Sequence, residues 1–334
     1  MKILITGAFG NLGQYTIQAA LELQEKHELI CYDIKNDNTV KVQNRLLDLS
    51  KDHGFKTIWG DICDKSKLKD AVCDADAVIH LAGLLHPKTE KDPKLSHKIN
   101  VKGKRILLEC METYCKNRSL NERPKVILSS SVSIYGPWSP KDQLITTNTP
   151  IKPTDVYTKT KKRAEDVLMS SGFPWIILRI TGAPPPSMVS RDYMDLLFEM
   201  PLEQQIEFIH PKDVGIALIQ AAIKNIQNKI LLIGGGKRCQ ITNRELMKGY
   251  FRTLGIKMIS EDSFKKPKND DDWFYVGWLD TQESQRLLNY QKHTFEDFLE
   301  DFKRELGWKR KVFKIFSPLI KKYLEWKSPY RRNS

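Results

Sequence analysis

Tyr157 and Lys161 are four residues apart in a segment with helical character, so their side chains lie on one helix face. A lysine cation beside a phenol favours the phenolate and lowers the pKa of the tyrosine from about 10. Such a tyrosine takes a proton from an alcohol while hydride leaves the same carbon, or returns it in the reverse reaction. A serine-rich strand end lies about 26 residues earlier, and a serine hydroxyl beside the pair would hold the substrate oxygen. The alternative is a solvated helix face.

Three glycines, Gly7, Gly10 and Gly13, follow a short apolar strand and open a helical segment. The first permits a tight turn, the second lets the backbone approach a pyrophosphate, and the third allows close packing of helix on strand. Backbone N–H groups at the helix N-terminus then face the negative charge. The pattern predicts a dinucleotide-binding loop rather than a plain glycine turn, and its other expected cofactor contacts are Phe9, Asn11 and Leu12.

Asp33 ends the second predicted strand, 20 residues beyond Gly13. A carboxylate there accepts hydrogen bonds from a ribose diol and repels a 2′-phosphate, which favours NAD over NADP. Lys35, two residues further on, keeps NADP as the less favoured cofactor. The alternative for Asp33 is an exposed acid at a strand end.

Short apolar runs alternate with helical patterns over the first 180 residues, which is typical of βαβ units. We predict an α/β fold with a Rossmann-type, doubly wound parallel sheet. Three consecutive prolines after the sixth strand mark a change of organisation. Residues 1–180 with 208–233 are expected to form the dinucleotide domain, 181–207 with 234–307 a smaller substrate lobe, and 308–334 a basic tail. The predicted strands are 2–6, 28–32, 56–59, 77–81, 125–129, 175–179 and 229–233.

On these motifs the chain resembles the extended short-chain dehydrogenase/reductase family, which includes the NAD-dependent nucleotide-sugar epimerases and dehydratases. The resemblance implies that Ser131 is the catalytic serine beside Tyr157 and Lys161, and that Lys161 also bonds the nicotinamide ribose. Asp61 is similar to the adenine-contacting Asp of the family. The further cofactor contacts that the resemblance implies are Ile62, Leu81, Ala82, Gly83 and Asn100.

Three departures from that family narrow the chemistry. Val132 and Ser133 occupy the positions where sugar-nucleotide dehydratases carry an Asp-Glu pair, so elimination of water is disfavoured. Gly182 stands where nucleotide-sugar enzymes tend to have an asparagine that helps to hold the diphosphate. The stretch from Thr181 to His210 is short and lacks the long loop and basic residue that usually clamp a nucleoside diphosphate. Arg191 is its only arginine. The motifs therefore predict the fold, and they leave the identity of the substrate open.

Composition argues against a disordered, fibrous or membrane-spanning protein. With 40% hydrophobic and 28% charged residues the chain is globular, and without an apolar run of 18 residues it lacks a spanning helix. Because the first residues already form a strand, we expect a cytoplasmic protein. The six cysteines are scattered, and no metal spacing appears in the sequence. His80 is interpreted as a backbone-bonded histidine that lines the cofactor crevice rather than as a catalyst, and His210 as structural.

The tail, residues 308–334, carries a net charge of +8 of the chain's +13. Its apolar residues recur at helical spacing with lysines between them, which fits an interfacial membrane anchor. The alternative is a helix docked on its own domain or on a partner subunit. Nucleic acid is disfavoured, because no binding motif accompanies the charge.

We therefore predict an NAD-dependent oxidoreductase or epimerase that acts on a small molecule, with a nucleotide sugar as one candidate substrate. A dinucleotide sensor without catalysis and a membrane-surface enzyme of a lipid-linked alcohol are the alternatives. The family resemblance also implies a homodimer.

Overall fold

The computed structural model describes residues 1–50, 54–115, 119, 122–140, 143–186 and 197–331. Its main sheet has seven strands, and every pair of neighbours in it is parallel. The order reverses between the first and fourth strands of the chain, so the predicted doubly wound Rossmann-type fold is confirmed. In spatial order the strands are β3 (Lys56–Trp59), β2 (Glu28–Asp33), β1 (Lys2–Thr6), β4 (Ala77–His80), β5 (Lys125–Ser131), β6 (Trp175–Ile180) and β8 (Lys229–Ile233).

Alternate strand residues point to opposite sides of this sheet, so both of its faces bury side chains, and helices cover both. In β1, Ile3 and Ile5 are buried in one layer and Leu4 in the other. The first layer contains α1 (Asn11–Leu21), α2 (Asp37–Ser50) and α8 (Pro211–Ile223); the second contains α3 (Lys65–Val72), α6 (Lys104–Cys115) and α7 (Val156–Met169). Two short helices, α4 (Lys88–Lys91) and α5 (Pro93–His97), and a π-helical turn, Lys98–Gly103, lead into α6.

The second lobe is built from stretches of the chain before and after β8. It contains a two-stranded antiparallel sheet of β7 (Gln205–Glu207) and β9 (Gln240–Thr242). β7 ends at Glu207, and His210 caps the helix that begins at Pro211. The remaining helices are α9 (Asn243–Leu254), α10 (Gln282–Leu288), α11 (Phe295–Leu306), α12 (Lys309–Ile315) and α13 (Ser317–Lys327).

The basic tail forms α12 and α13 and packs against its own lobe, as the docked-helix alternative predicts. Phe313, Ile320 and Leu324 contact the buried cluster around Phe251 in α9. Ile315 and other apolar residues of the tail are exposed and do not take part in this packing. Within the described ranges no helix has the length and apolar character needed to cross a bilayer.

Candidate active site

A cavity of about 1380 Å³ opens at the carboxyl ends of β1, β4, β5 and β6 and continues into the second lobe. This exceeds the roughly 300–1,000 Å³ of a pocket for one drug-sized ligand, and therefore suits a dinucleotide together with a substrate. Ser131, Tyr157 and Lys161 line it, as do all of the predicted cofactor contacts except Phe9 and Asn100.

The glycine loop turns tightly from β1 into α1. Gly7 has a φ of +69°, and a Cβ built on it would lie 2.7 Å from the backbone nitrogen of Ala82. A Cβ on Gly13 would lie 2.4 Å from the carbonyl oxygen of Gly7. Gly10 precedes α1 without a side-chain cap, so no capping side chain takes up the N–H groups of the first turn, whose residues line the cavity. The buried Oδ1 of Asn11 has no hydrogen-bond partner among the described residues and offers an acceptor to a ligand.

Asp33 stands at the end of β2 with its carboxylate fixed by two backbone donors. The N–H of Phe9 donates to Oδ2 and the N–H of Ile34 to Oδ1, both at 2.8 Å. Burial raises the pKa of Asp33, and these two hydrogen bonds oppose the rise. Each oxygen retains a lone pair for a ribose hydroxyl. Lys35 is exposed and is not one of the described lining residues.

Phe9 and Asn100 support the site from behind the cavity wall. Phe9 is buried and packs against Trp59, and its backbone orients Asp33. The amide of Asn100 accepts from the N–H of Leu84 at 2.7 Å and donates to the hydroxyl of Thr160 at 3.2 Å. Both side chains contact protein partners, and their role as direct cofactor contacts stays a prediction.

Tyr157 and Lys161 lie on α7, one turn apart, facing the end of β5. The Nζ of Lys161 lies 5.8 Å from the ring centroid of Tyr157 and donates to the carbonyl oxygen of Ser129 at 2.9 Å. Ser131 is the last residue of β5, and its Oγ lies 3.2 Å from the Oγ of Ser133. Asp155 caps α7, and Glu90 accepts from the N–H of Tyr157 at 3.1 Å, so the start of this helix is held at two points.

A buried ion pair that the sequence analysis missed lies behind this centre. Arg179 of β6 donates to both carboxylate oxygens of Glu165, at 3.0 and 2.8 Å, and to the hydroxyl of Tyr135 at 2.7 Å. The hydroxyl of Ser130 donates to Glu165 at 2.6 Å. Burial lowers the pKa of Lys161 to about 8, and the charge of Glu165 opposes the drop. The signal that would have found Glu165 is its spacing of one turn from Lys161.

Neither singled-out histidine lines the cavity. His80 is buried, and its Nδ1 hydrogen-bonds the hydroxyl of Thr6 at 2.8 Å. Burial lowers its pKa well below 6.5, with Lys104 and Lys161 adding to the drop. His210 caps α8 by accepting from the N–H of Lys212 at 3.1 Å. No cluster of metal-ligating side chains occurs in the part of the chain that the structure describes.

The part of the cavity in the second lobe has an acidic rim and an apolar interior. Its described charged residues are Glu199, Lys265, Asp271 and Asp272, and Lys265 is already paired with Asp272 at 3.1 Å. Arg191, the only arginine between Thr181 and His210, lies outside the described residues. The apolar interior comes from α9, α12, α13 and the segments between them, and includes Met247, Tyr250, Phe251, Leu254, Ile256, Phe313, Ile320, Tyr323 and Leu324.

Residues 4–173, half of the chain, match the sequence model of the 3-beta hydroxysteroid dehydrogenase/isomerase family. The chain belongs to this family. The prediction of an enzyme of the extended short-chain dehydrogenase/reductase type is thereby confirmed.

Two curated relatives show how widely the chemistry of such proteins varies. UDP-glucose 4-epimerase 2 of Arabidopsis thaliana is 25% identical over 345 aligned positions, which cover 90% of this chain and 93% of the relative. D-erythronate dehydrogenase of Cupriavidus necator is 29% identical over 174 positions, about half of each chain. A crystal structure of UDP-glucuronic acid 4-epimerase from Bacillus cereus with UDP-glucuronic acid and NAD superimposes with a TM-score of 0.72 at 23% identity. It covers 92% of this chain and all of the epimerase, and shows the shared fold.

This member of the dehydrogenase/isomerase family has no carboxylate at the two positions after Ser131. Val132 is buried, and Ser133 donates its backbone N–H to the Oγ of Ser131 at 3.2 Å. Gly182 lines the cavity at the end of β6 and provides no side chain to hold a diphosphate. Of the departures found in the sequence, Ser133 and Gly182 therefore lie on the wall of the site.

Proposed function

We propose that this protein is an NAD-dependent oxidoreductase or epimerase that acts on an alcohol or ketone carbon. The observation that carries the proposal is that Ser131, Tyr157 and Lys161 line the same cavity as the glycine loop. Tyr157 is the acid and base, Lys161 favours its phenolate, and Ser131 holds the substrate oxygen. The strand end and the helix that carry these groups are fixed by separate contacts, so the site is preorganised.

The residues present fit NAD as the cofactor. Gly7 and Gly13 leave no room for a side chain, the start of α1 presents free N–H groups, and Asp33 is aimed at a ribose. When bound, NAD would supply the hydride acceptor and donor for the substrate carbon. Lys161 bonds the nicotinamide ribose in this proposal. The NAD-bound structures of relatives with the same fold support this choice over NADP.

The chain's own part in the reaction is proton transfer. As an alcohol is oxidised, the phenolate of Tyr157 takes the hydroxyl proton, and Ser131 donates a hydrogen bond to the substrate oxygen. Lys161 stays protonated and stabilises the phenolate. A dehydrogenase ends there; an epimerase returns the proton from Tyr157 after the carbon has presented its other face. Elimination of water is not proposed, because Val132 and Ser133 supply no carboxylate.

A nucleotide sugar is the first candidate substrate, because such compounds are bound by the epimerases of similar fold. The second candidate is an uncharged alcohol with an apolar portion. It is supported by the lining of the second lobe, where three carboxylates are opposed by two paired lysines, Lys152 and Lys265. The remaining negative charge disfavours a diphosphate. A dinucleotide-binding protein without catalysis is the alternative from another class. The homodimer and the cytoplasmic location stay predictions.

A thermal-shift and turnover panel tests these proposals. A ligand at about 100 times its Kd stabilises a fold by roughly 2.7 kcal/mol, so NAD is expected to raise the Tm. UDP-glucose and UDP-glucuronic acid are then added to the NAD complex, beside a set of long-chain and isoprenoid alcohols. Reduced nicotinamide formed with an alcohol indicates a dehydrogenase, and epimer formation without it an epimerase. An NAD shift without turnover of either class would favour the binding protein.

A further inference from the structure

The outward side of α12 and α13 carries a row of exposed apolar side chains. Trp308 is 72% exposed, Ile315 74% and Leu319 65%. These residues define the outer face of the tail, together with the less exposed Val312, Phe316, Tyr323 and Trp326. Isolated surface apolar residues need no explanation, but a contiguous group of this size marks an interaction surface.

The outer face is continuous across the break between the two helices. Trp308, Val312, Ile315, Leu319 and Tyr323 follow one another at spacings of three or four residues, which is the period of one helix side. The opposite side of both helices packs on the second lobe, through the residues that contact the cluster around α9. Helix α12 is also tied through the guanidinium of Arg310, which donates to the carbonyl oxygen of Thr253 at 2.9 Å. These contacts hold the helices so that the apolar row stays on their outward side.

Cations flank the outer face, and the tail itself carries almost no acid. The tail has nine Lys or Arg residues and one acid, Glu325. That acid is largely buried and committed, because it accepts from the backbone N–H of Ser260 at 2.8 Å and pairs with Lys321 and Arg331. Lys311, Lys314 and Lys322 are exposed beside the apolar row. A second copy of the chain would bring two such cationic segments together, so the charge selects an anionic occupant.

We propose that the outer face docks the protein on an anionic lipid bilayer. Both helices would lie in the interface, with the apolar row in the boundary between headgroups and acyl chains and the lysines among the headgroups. Trp308 and Tyr323 are of the residue types that favour this layer. Each lysine near an anionic surface adds about fivefold to binding, which is about 1 kcal/mol.

The inner side of the same helices forms one wall of the cavity, since Phe313, Ile320 and Leu324 line it. Tyr323 lines the cavity and is also half exposed on the outer face. Docking therefore brings the apolar part of the cavity next to the bilayer. If the proposed function holds, an apolar alcohol passes directly between membrane and site.

Sedimentation of the full-length protein with extruded vesicles tests the docking surface without using activity. We expect binding to vesicles of 30 mol% phosphatidylserine in phosphatidylcholine, weak binding to phosphatidylcholine alone, and weaker binding at high salt. The double variant Ile315→Glu/Leu319→Glu is expected to bind at least tenfold less, because two apolar side chains no longer enter the interface. Lys311→Glu/Lys322→Glu is expected to lose about 25-fold or more.

Matched controls place the same changes on α2. Leu49→Glu alters another exposed apolar residue, 57% exposed, and Lys41→Glu another exposed lysine, and both should bind as the unchanged protein does. An unaltered Tm and NAD shift confirm that every variant is folded. Equal sedimentation of the outer-face variants and the controls would overturn the proposal. So would a dimer in analytical ultracentrifugation that the outer-face variants dissociate, because the occupant would then be a second copy.

Discussion

Lys161 donates a hydrogen bond of 2.9 Å from its ammonium group to the backbone carbonyl of Ser129, two residues before Ser131. This bond joins the helix that carries Tyr157 to the strand that carries the serine. It also leaves the ammonium beneath the tyrosine ring, in a place where burial lowers the pKa of Lys161 to about 8. The contact therefore positions the tyrosine base, and burial at the same place sets the pH range in which Lys161 is charged.

Tyr157→Phe should abolish turnover while NAD binding is retained. The substitution removes only the phenolic oxygen, and loss of a positioned acid or base lowers rates by about 10²–10⁴-fold. The kcat and the Tm shift with NAD are measured in parallel. Tyr114→Phe, at an exposed tyrosine of α6 outside the cavity lining, is the control and should change neither. Undiminished turnover by the Tyr157 variant would refute the proposed mechanism.

The stability of the protein should rise with pH between about 8 and 10.4. In that window an unfolded lysine is still protonated, whereas Lys161 in the folded protein has lost its proton. The unfolded state then binds more protons, so the free energy of unfolding rises, by about 3 kcal/mol at this site. Below pH 8 both states are protonated and the penalty of the buried cation is fully present.

Urea unfolding of the protein and of Lys161→Met at several pH values measures this contribution. The unchanged protein should gain stability relative to the variant across the window. Parallel curves for the two proteins would show that the lysine is not buried as a cation. The turnover rate of the unchanged protein should fall as the pH passes about 8, since the charge beside Tyr157 is then lost.

Asp33→Asn should shift cofactor preference from NAD towards NADP. The amide no longer repels a 2′-phosphate, and it loses a charged acceptor for the ribose, which is worth about 1.5–3 kcal/mol. The ratio of the Kd values for the two cofactors should change by at least about tenfold, as measured by calorimetry. Asp37→Asn, at an exposed residue of α2, should leave the ratio unchanged. An unaltered ratio in the Asp33 variant would place the ribose elsewhere.

Glu165→Gln should destabilise the fold by about 3–5 kcal/mol, because the guanidinium of Arg179 is then buried without its counter-charge. The pair is 3% and 0% exposed, so solvent cannot replace the lost partner. Glu283→Gln breaks a half-exposed pair with Lys229 and should change the free energy of unfolding by less than about 1 kcal/mol. Similar losses in both variants, measured by urea unfolding, would contradict this assignment.

The strands and the glycine loop were predictable because their signals are local. A parallel strand buried on both faces is a continuous apolar run, and Gly7, Gly10 and Gly13 directly follow one. The pairing of Glu165 with Arg179 joins a helix to a strand, and no local pattern indicates which buried charges will meet. Helix α2 was not predicted, since it is mostly polar and buries few residues.

The tail shows a different limit. Periodicity identified its helices but could not separate the apolar residues that face the lobe, such as Leu324, from those that face outwards, such as Leu319. Both kinds recur at helical spacing, and only the position of α9 decides between them. The sequence also did not indicate that Phe9 and Asn100 lie behind the cavity wall, because a motif identifies residues without showing which atoms their side chains contact.

The cavity depends on the last helix of the chain for one of its walls. Because α13 is a wall of the cavity, removing the last 27 residues would not trim a passive appendage. It would uncover Phe251 and Phe264, which are now buried, and open the cavity sideways to water. A shortened protein that fails to bind lipid or substrate would therefore report damage to the pocket, and only point changes on the outer face keep the two effects apart.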